Sequence, residues 1–103
     1  MGLVNPAVVT VTESTSGTST PTTVASSATS VTILAANSNR KGATVWNEST
    51  AILFIEFGAT ATTSAFTAKL FAGGYYEVPF NYTGVISGIW SAVNGNALVR
   101  ELT

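Results

Sequence analysis

The chain contains no histidine, no cysteine and no aspartate among its 103 residues. Without cysteine it can form neither a disulfide nor a thiolate metal site. Without histidine and aspartate it lacks the side chains that most often act as general bases in catalytic sites. The remaining carboxylates are Glu13, Glu48, Glu56, Glu77 and Glu101. Because these glutamates are scattered and form no recognisable signature, the sequence predicts a protein that is not an enzyme and holds no metal or cofactor.

Charge is also scarce. Charged residues make up 9% of the chain, whereas globular proteins average about 25%. The net charge is −1 and the only adjacent basic pair is Arg40 and Lys41, so the stripe of basic residues that nucleic acids require is missing. A small domain with so few charges tends to self-associate. We therefore expect no nucleic-acid partner, and we expect much of the surface to be buried in a homo-oligomer or against another protein.

Long apolar runs are missing as well. The longest, at residues 51–55, stops at Glu56 and is far shorter than the roughly 20 residues that a membrane span needs. No basic residue precedes Arg40, so a secretory signal is not expected. The sequence predicts a protein made in the cytoplasm that does not enter a membrane.

The first residues differ in composition from the rest. Residues 7–12 are mostly β-branched, and residues 13–20 are rich in Ser and Thr without a large apolar side chain, so this stretch should not fold by itself. We predict an extended N-terminal arm over residues 1–21 and a compact domain over residues 22–103. An arm of this kind can add a strand to the sheet edge of a neighbour. The side chains that would set its register are those of Val8, Val9 and Val11.

After the arm, short β-prone runs alternate with turn residues, and no window shows the spacing of an amphipathic helix. The predicted strands cover residues 22–25, 30–35, 43–47, 51–57, 65–71, 75–78, 85–90 and 97–102. Many short strands separated by turn signals are typical of all-β domains. The predicted fold is a compact antiparallel β-sandwich or barrel-like domain.

Two connections and one strand carry more specific predictions. Residues 48–50 and residues 94–96 both resemble hairpin turns, the latter because it reads Asn-Gly-Asn. The strand at residues 85–90 has apolar residues on both sides and is expected to be central in its sheet. Within it, Gly88 is expected to let a bulky neighbour approach.

The strand at residues 51–57 has five large apolar residues almost in succession. In a strand with one face exposed to solvent, apolar residues would alternate with polar ones, so this strand should be buried on both faces. We expect either the arm or another subunit to cover its outer face. The candidates for that outer face are Trp46, Ile52 and Phe54.

The aromatic residues allow two interpretations. A group including Trp46 and Trp90 could form a stacking platform for sugars, or the same residues could belong to the core and to an interface. The second interpretation is favoured, because the polar groups that would fix a ligand are not evident from the sequence. Tyr82, two residues before Gly84, suits a corner tyrosine whose hydroxyl binds nearby backbone.

Three stretches carry a resemblance to a known group of proteins. They are GGYYEVPFNYTGVISGIWSA at residues 73–92, ALVRELT at residues 97–103 and SNRKGATVWNEST at residues 38–50. Together they resemble small all-β structural proteins of tailed-bacteriophage virions, over about residues 31–103. The resemblance implies a structural part of a capsid, neck, tail or fibre, located in the virion. It also implies a symmetric oligomer, with a trimer expected because decoration proteins often occupy three-fold positions.

The resemblance and the composition point to the same function. We expect a capsid decoration or cement protein that binds the assembled shell and stabilises it, with the major capsid protein or another virion protein as its partner. A neck, tail or fibre component is the alternative within this class. A carbohydrate-binding module for host attachment, using the tryptophans, is the alternative from another class.

Overall fold

The computed structural model describes residues 14–79 and 81–103. These residues form eight strands and no helix. The strands are β1 (Ser19–Ala25), β2 (Val31–Leu34), β3 (Gly42–Glu48), β4 (Leu53–Phe57), β5 (Ala68–Leu70), β6 (Tyr75–Val78), β7 (Ile86–Trp90) and β8 (Asn96–Leu102). They form two antiparallel four-stranded sheets packed as a β-sandwich. The predicted all-β class is confirmed.

The strand order is β1-β8-β3-β6 in the first sheet and β2-β7-β4-β5 in the second. Of the eight described strands, only β4 and β5 follow each other in the chain and also pair in one sheet. At the other connections the chain passes from one sheet to the other. Strand β7 lies between β2 and β4, which confirms the prediction of a central strand.

Both predicted hairpins are wrong. Strand β3 belongs to the first sheet and β4 to the second, and β7 and β8 are divided in the same way. The turn after β3 is shaped by Asn47, whose buried side-chain amide donates to the carbonyls of Ala51 (2.8 Å) and Leu70 (3.0 Å). The turn before β8 contains Gly95 at φ +70°. Turn residues of this type show that the chain reverses, but they do not show which sheet it enters next.

The core lies between the inward faces of the two sheets. Val45 and Val99 from the first sheet and Leu53, Ile55 and Ile86 from the second are all fully buried. Burial of such side chains contributes about 1.5–3 kcal/mol each.

Gly88 confirms the expected close approach on β7. A Cβ at Gly88 would lie 2.8 Å from Ile33 Cδ1 and 3.1 Å from Leu53 Cδ1. The position is therefore occupied by two neighbouring core side chains, and even an alanine would displace them.

Strand β1 begins inside the stretch that was predicted to be an arm. It starts at Ser19, three residues before the expected domain boundary at residue 22, and Ser19 pairs with Leu102 of β8. Backbone hydrogen bonding to β8 orders these residues although their side chains bury little. Pro21 is tolerated because β1 is an edge strand. Residues 1–13, including the predicted contacts Val8, Val9 and Val11, lie outside the described residues.

The corner tyrosine is confirmed. The Tyr82 hydroxyl donates to the Val85 carbonyl at 2.7 Å, and its ring stacks on Phe57 with the centroids 4.4 Å apart. A Cβ at Gly84 would lie 2.7 Å from that hydroxyl. Glycine at residue 84 therefore makes room for the tyrosine.

Candidate functional site

The sandwich has two ends with different chemistry. Strand β3 runs from Gly42, which pairs with Leu102, to Glu48, which pairs with Asn96. The end near Leu102 is where the chain enters β1, since Ser19 also pairs with Leu102. We call this the arm end, defined by Lys41, Leu102 and Thr103, and we call the opposite end, at Glu48, the cleft end.

At the arm end, the residues that lead into β1 are bound to the body of the domain. The Lys41 ammonium donates to the Thr15 carbonyl, and the backbone N–H of Thr103 donates to the Thr18 carbonyl at 2.9 Å. The backbone N–H of Lys41 donates in turn to Leu102, at 2.8 Å. The entry to β1 is thus fixed to the start of β3 and the end of β8.

A buried arginine reinforces this end. The Arg40 side chain is fully buried, and its Nε donates to Glu101 Oε2 at 2.8 Å. Its remaining nitrogens donate to the carbonyls of Gly84 (2.7 Å), Tyr82 (3.2 Å) and Ala35. A buried charge needs this kind of pairing and hydrogen bonding. Arg40 ties β8 to two loops, a structural role that the sequence did not indicate, because residues 37–42 read as an ordinary polar loop.

The outer face of β4 is covered by the chain itself. Phe54 is only 7% exposed, and the ring of Phe66 packs edge-on against it with the centroids 5.0 Å apart. Lys69 Nζ lies 5.7 Å from the same ring. The sequence predicted that the arm or another subunit would cover this face. Because side chains of the same domain cover Phe54 instead, the burial of β4 on both faces does not by itself require a partner. Ile52, the second candidate, is half-buried.

Trp46, the third candidate, is on the outer face of the first sheet, whereas β4 belongs to the second sheet. The prediction that it shares an outer face with Ile52 and Phe54 is therefore wrong. Trp46 is 41% exposed, while its neighbour Val45 points into the core. Its Nε1 donates to Glu48 Oε2 at 2.6 Å, which fixes the orientation of the indole. Tyr75 pairs directly opposite Trp46 and is 53% exposed. Trp90, in contrast, is 1% exposed, so the two tryptophans have different roles.

A cleft of about 470 Å³ opens beside Trp46 at the cleft end. Its walls include Glu48 from β3, Thr50 and Asn94 from two turns, and Gly73 from a third. Asn94 Oδ1 accepts hydrogen bonds from the Thr50 backbone N–H at 2.8 Å and from the Thr50 hydroxyl at 3.1 Å. Strand pairing and turn geometry therefore bring together polar groups that are far apart in the sequence, which is why sequence reasoning found Trp46 but neither Glu48 nor Asn94.

The hydroxyl of Tyr75, the residue opposite Trp46, stays protonated at neutral pH. Partial desolvation, and then the hydrogen bond and the negative charge of Glu77, raise the pKa of its hydroxyl above the ordinary value of 10.0. The hydroxyl donates to Glu77 Oε1 at 3.1 Å. At neutral pH it is therefore a neutral donor already engaged by Glu77.

The four glutamates of the described residues all accept hydrogen bonds from their own chain. Glu48 accepts from Trp46, Glu77 from Tyr75 and Glu101 from Arg40, while Glu56 accepts from the Thr67 hydroxyl at 2.6 Å. Residues 14–79 and 81–103 contain no group of three or more carboxylates that could hold a metal ion.

Within the same part of the chain, no helix has the length and apolar character to cross a membrane. Comparisons with protein families, with curated proteins and with solved structures found no match to this chain.

Proposed function

We propose that this chain is a structural protein of a virion, a capsid decoration or cement protein that binds the assembled shell and stabilises it. A neck, tail or fibre position is the alternative within the same class. The proposal starts from the resemblance of residues 31–103 to such proteins and from the low charge content of 9%. A protein with this role needs a rigid domain with a defined point of attachment, and the arm end has the features of such a point.

The observation that carries the proposal is the anchoring of the chain at the arm end. Lys41 and Thr103 hold the residues before β1, and β1 then pairs with β8 over seven residues. Tension on the arm would load this ladder along its length, so several hydrogen bonds would have to break together. At a net value of about 0.5–1.5 kcal/mol each, such a ladder suits a tether between a domain and a surface.

The arm provides the proposed contact with the particle. Residues 1–14, which precede the first held residue Thr15, could reach roughly 45 Å when extended, enough to cross to an adjacent subunit. Val8, Val9 and Val11 would supply register to a strand added at a neighbour's sheet edge. The partner in this proposal is the major capsid protein or another virion protein.

Self-association is the second part of the proposal. It is supported by the low charge content and by two exposed aromatics that flank edge strand β5, Phe66 at 38% and Phe71 at 62% exposure. A second copy covering these rings would remove apolar surface from water. The trimer is proposed from the resemblance alone.

Deletion of residues 1–13 tests the arm. The deletion stops before Ser14, so it keeps Thr15, Thr18 and all of β1, whereas a deletion through Thr20 would remove part of that strand. We expect the truncated protein to fold and melt like the full chain but to attach far more weakly to virions, because the added strand is lost. Occupancy on purified virions, measured by quantitative mass spectrometry, is the readout.

A matched variant shows whether any change in this stretch weakens attachment. Replacing Thr10 and Thr12 with serine alters the same stretch without removing its valines, so occupancy should remain near that of the full chain. Equal occupancy by the truncated and full-length proteins would make the arm a passive tail. Absence of the full chain from purified virions would overturn the proposed function itself.

A further inference from the structure

The cleft end points to a second activity that goes beyond attachment to a virion. We propose that the cleft beside Trp46 binds a neutral saccharide. The site lies at the end of the sandwich opposite the arm end. A domain fixed by its arm could therefore still present the cleft to a ligand.

Trp46 supplies the platform. Its ring is 41% exposed, and the 2.6 Å hydrogen bond from Nε1 to Glu48 holds it in one orientation. Gly73 lies beside the ring, and a Cβ there would be 3.9 Å from Cζ2, so the glycine leaves this edge of the indole uncovered. The C–H groups of a pyranose ring carry partial positive charge and pack favourably against the negative face of an indole.

Two polar groups in the cleft remain available for sugar hydroxyls. Glu48 uses Oε2 to accept from Trp46, and no hydrogen bond from the described residues reaches its Oε1. Asn94 uses Oδ1 to accept from Thr50, and within the same residues its Nδ2 donates to no acceptor. A free carboxylate oxygen and a free amide N–H beside an aromatic face offer one acceptor and one donor to neighbouring hydroxyls.

The walls of the cleft are fixed before a ligand arrives. Thr50 is bonded to Asn94 through both its backbone N–H and its hydroxyl. Beneath them, fully buried Asn47 donates to the Ala51 carbonyl at 2.8 Å and accepts from the Ser49 hydroxyl at 2.6 Å. Preformed walls reduce the ordering cost of binding, and the volume of about 470 Å³ is within the range of roughly 300–1,000 Å³ for small-molecule sites.

The charge of the cleft selects neutral ligands. Among residues 14–79 and 81–103, Glu48 is the only charged side chain that lines it. Phosphates, sialic acids and uronic acids would meet a carboxylate without a cation to pair with, which is unfavourable. A neutral hexose or N-acetylhexosamine avoids this repulsion and still offers hydroxyls to Glu48 and Asn94.

Nuclear magnetic resonance on the ¹⁵N-labelled full chain tests the proposal directly. The chain has two tryptophans and hence two indole N–H signals, and buried Trp90 serves as an internal reference. The probes are the methyl glycosides of glucose, galactose and mannose, and N-acetylglucosamine, each titrated to high millimolar concentration. At least one probe should shift the Trp46 signal in a saturable way and leave the Trp90 signal in place.

Variants assign the binding to the cleft. Trp46→Ala and Glu48→Ala should each weaken binding of the active probe by about tenfold or more, the scale expected of a central contact. Phe71→Ala removes an aromatic that is 62% exposed and lies outside the cleft walls, so it should leave the affinity unchanged. If Trp46→Ala fails to fold, Trp46→Phe, which keeps a smaller platform, replaces it and should weaken binding less.

Several results would overturn the saccharide site. No shift of the Trp46 signal with any of the four probes would do so, as would equal shifts of both indole signals. Equal weakening by Phe71→Ala would place the contact elsewhere, and equally tight binding of methyl glucuronide would contradict the charge argument. Loss of virion occupancy by Trp46→Ala would instead assign the ring to a protein interface, whereas unchanged occupancy agrees with the saccharide site and leaves the attachment proposal intact.

Discussion

Glu101→Ala is expected to lower the free energy of unfolding by about 3 kcal/mol. The substitution leaves the Arg40 guanidinium fully buried without the carboxylate that accepts from its Nε at 2.8 Å. We place the effect at the lower end of the range for a broken buried pair, because the Glu101 side chain is 16% exposed. Urea denaturation gives the free energy, with a lower midpoint and an unchanged slope expected.

Two further variants show whether burial of the charge causes this effect. Glu77→Ala removes an exposed glutamate of strand β6 and should change stability by no more than about 0.5 kcal/mol. Glu101→Gln keeps an oxygen that can accept from Arg40 Nε, so it should cost less than Glu101→Ala. If Glu101→Ala is no more harmful than Glu77→Ala, Arg40 does not depend on this carboxylate.

Trp90→Ala should be similarly destabilising, by about 3–5 kcal/mol. The side chain is 1% exposed within the core, and its removal leaves a large cavity. For a domain of this size, 1 kcal/mol corresponds to about 4–8 °C in melting temperature, so the transition should fall by at least about 12 °C. Thermal unfolding followed by circular dichroism measures the change.

Two control variants, Trp46→Ala and Trp90→Phe, are compared with Trp90→Ala. Trp46→Ala removes a partly exposed ring and should cost much less. Trp90→Phe keeps most of the packing and also removes a buried indole N–H that has no hydrogen-bond partner within the described part of the chain, so it should cost less than Trp90→Ala. A melting temperature unchanged by Trp90→Ala would contradict the assignment of Trp90 to the core.

The sequence predicted correctly those features of the fold that neighbouring residues determine. Strand β6 was predicted at residues 75–78 and is observed at Tyr75–Val78, because Gly73 at φ +73° and Pro79 bracket it. The central position of β7 also followed from its apolar residues on both sides. These features depend on neighbouring residues and on the burial pattern of a single strand.

Sheet membership could not be predicted in this way. The turn signals before β4 and before β8 were read as hairpins, but both turns carry the chain into the opposite sheet. The sheet that the chain enters depends on long-range packing. One example is the hydrogen bond from the buried Asn47 amide to the carbonyl of Leu70, 23 positions away. No local pattern reveals such a partner.

The candidate site illustrates the same limit. Trp46 was expected on an outer face together with Ile52 and Phe54, and it is exposed, but β3 and β4 belong to different sheets. Glu48 and Asn94 became candidates only when folding placed the end of β3 and the turn before β8 at one cleft. The structural role of Arg40 was not predicted for a related reason, since its partner Glu101 is 61 positions away.

An image reconstruction of purified virions tests the central proposal most directly. We predict density that fits the eight-stranded sandwich on the virion surface, with Lys41 and Thr103 facing the particle and Trp46 facing outward. Copies of the chain should meet around a three-fold axis, as the resemblance implies. Virions that lack this density, or density in which the Trp46 end faces the particle, would contradict the account.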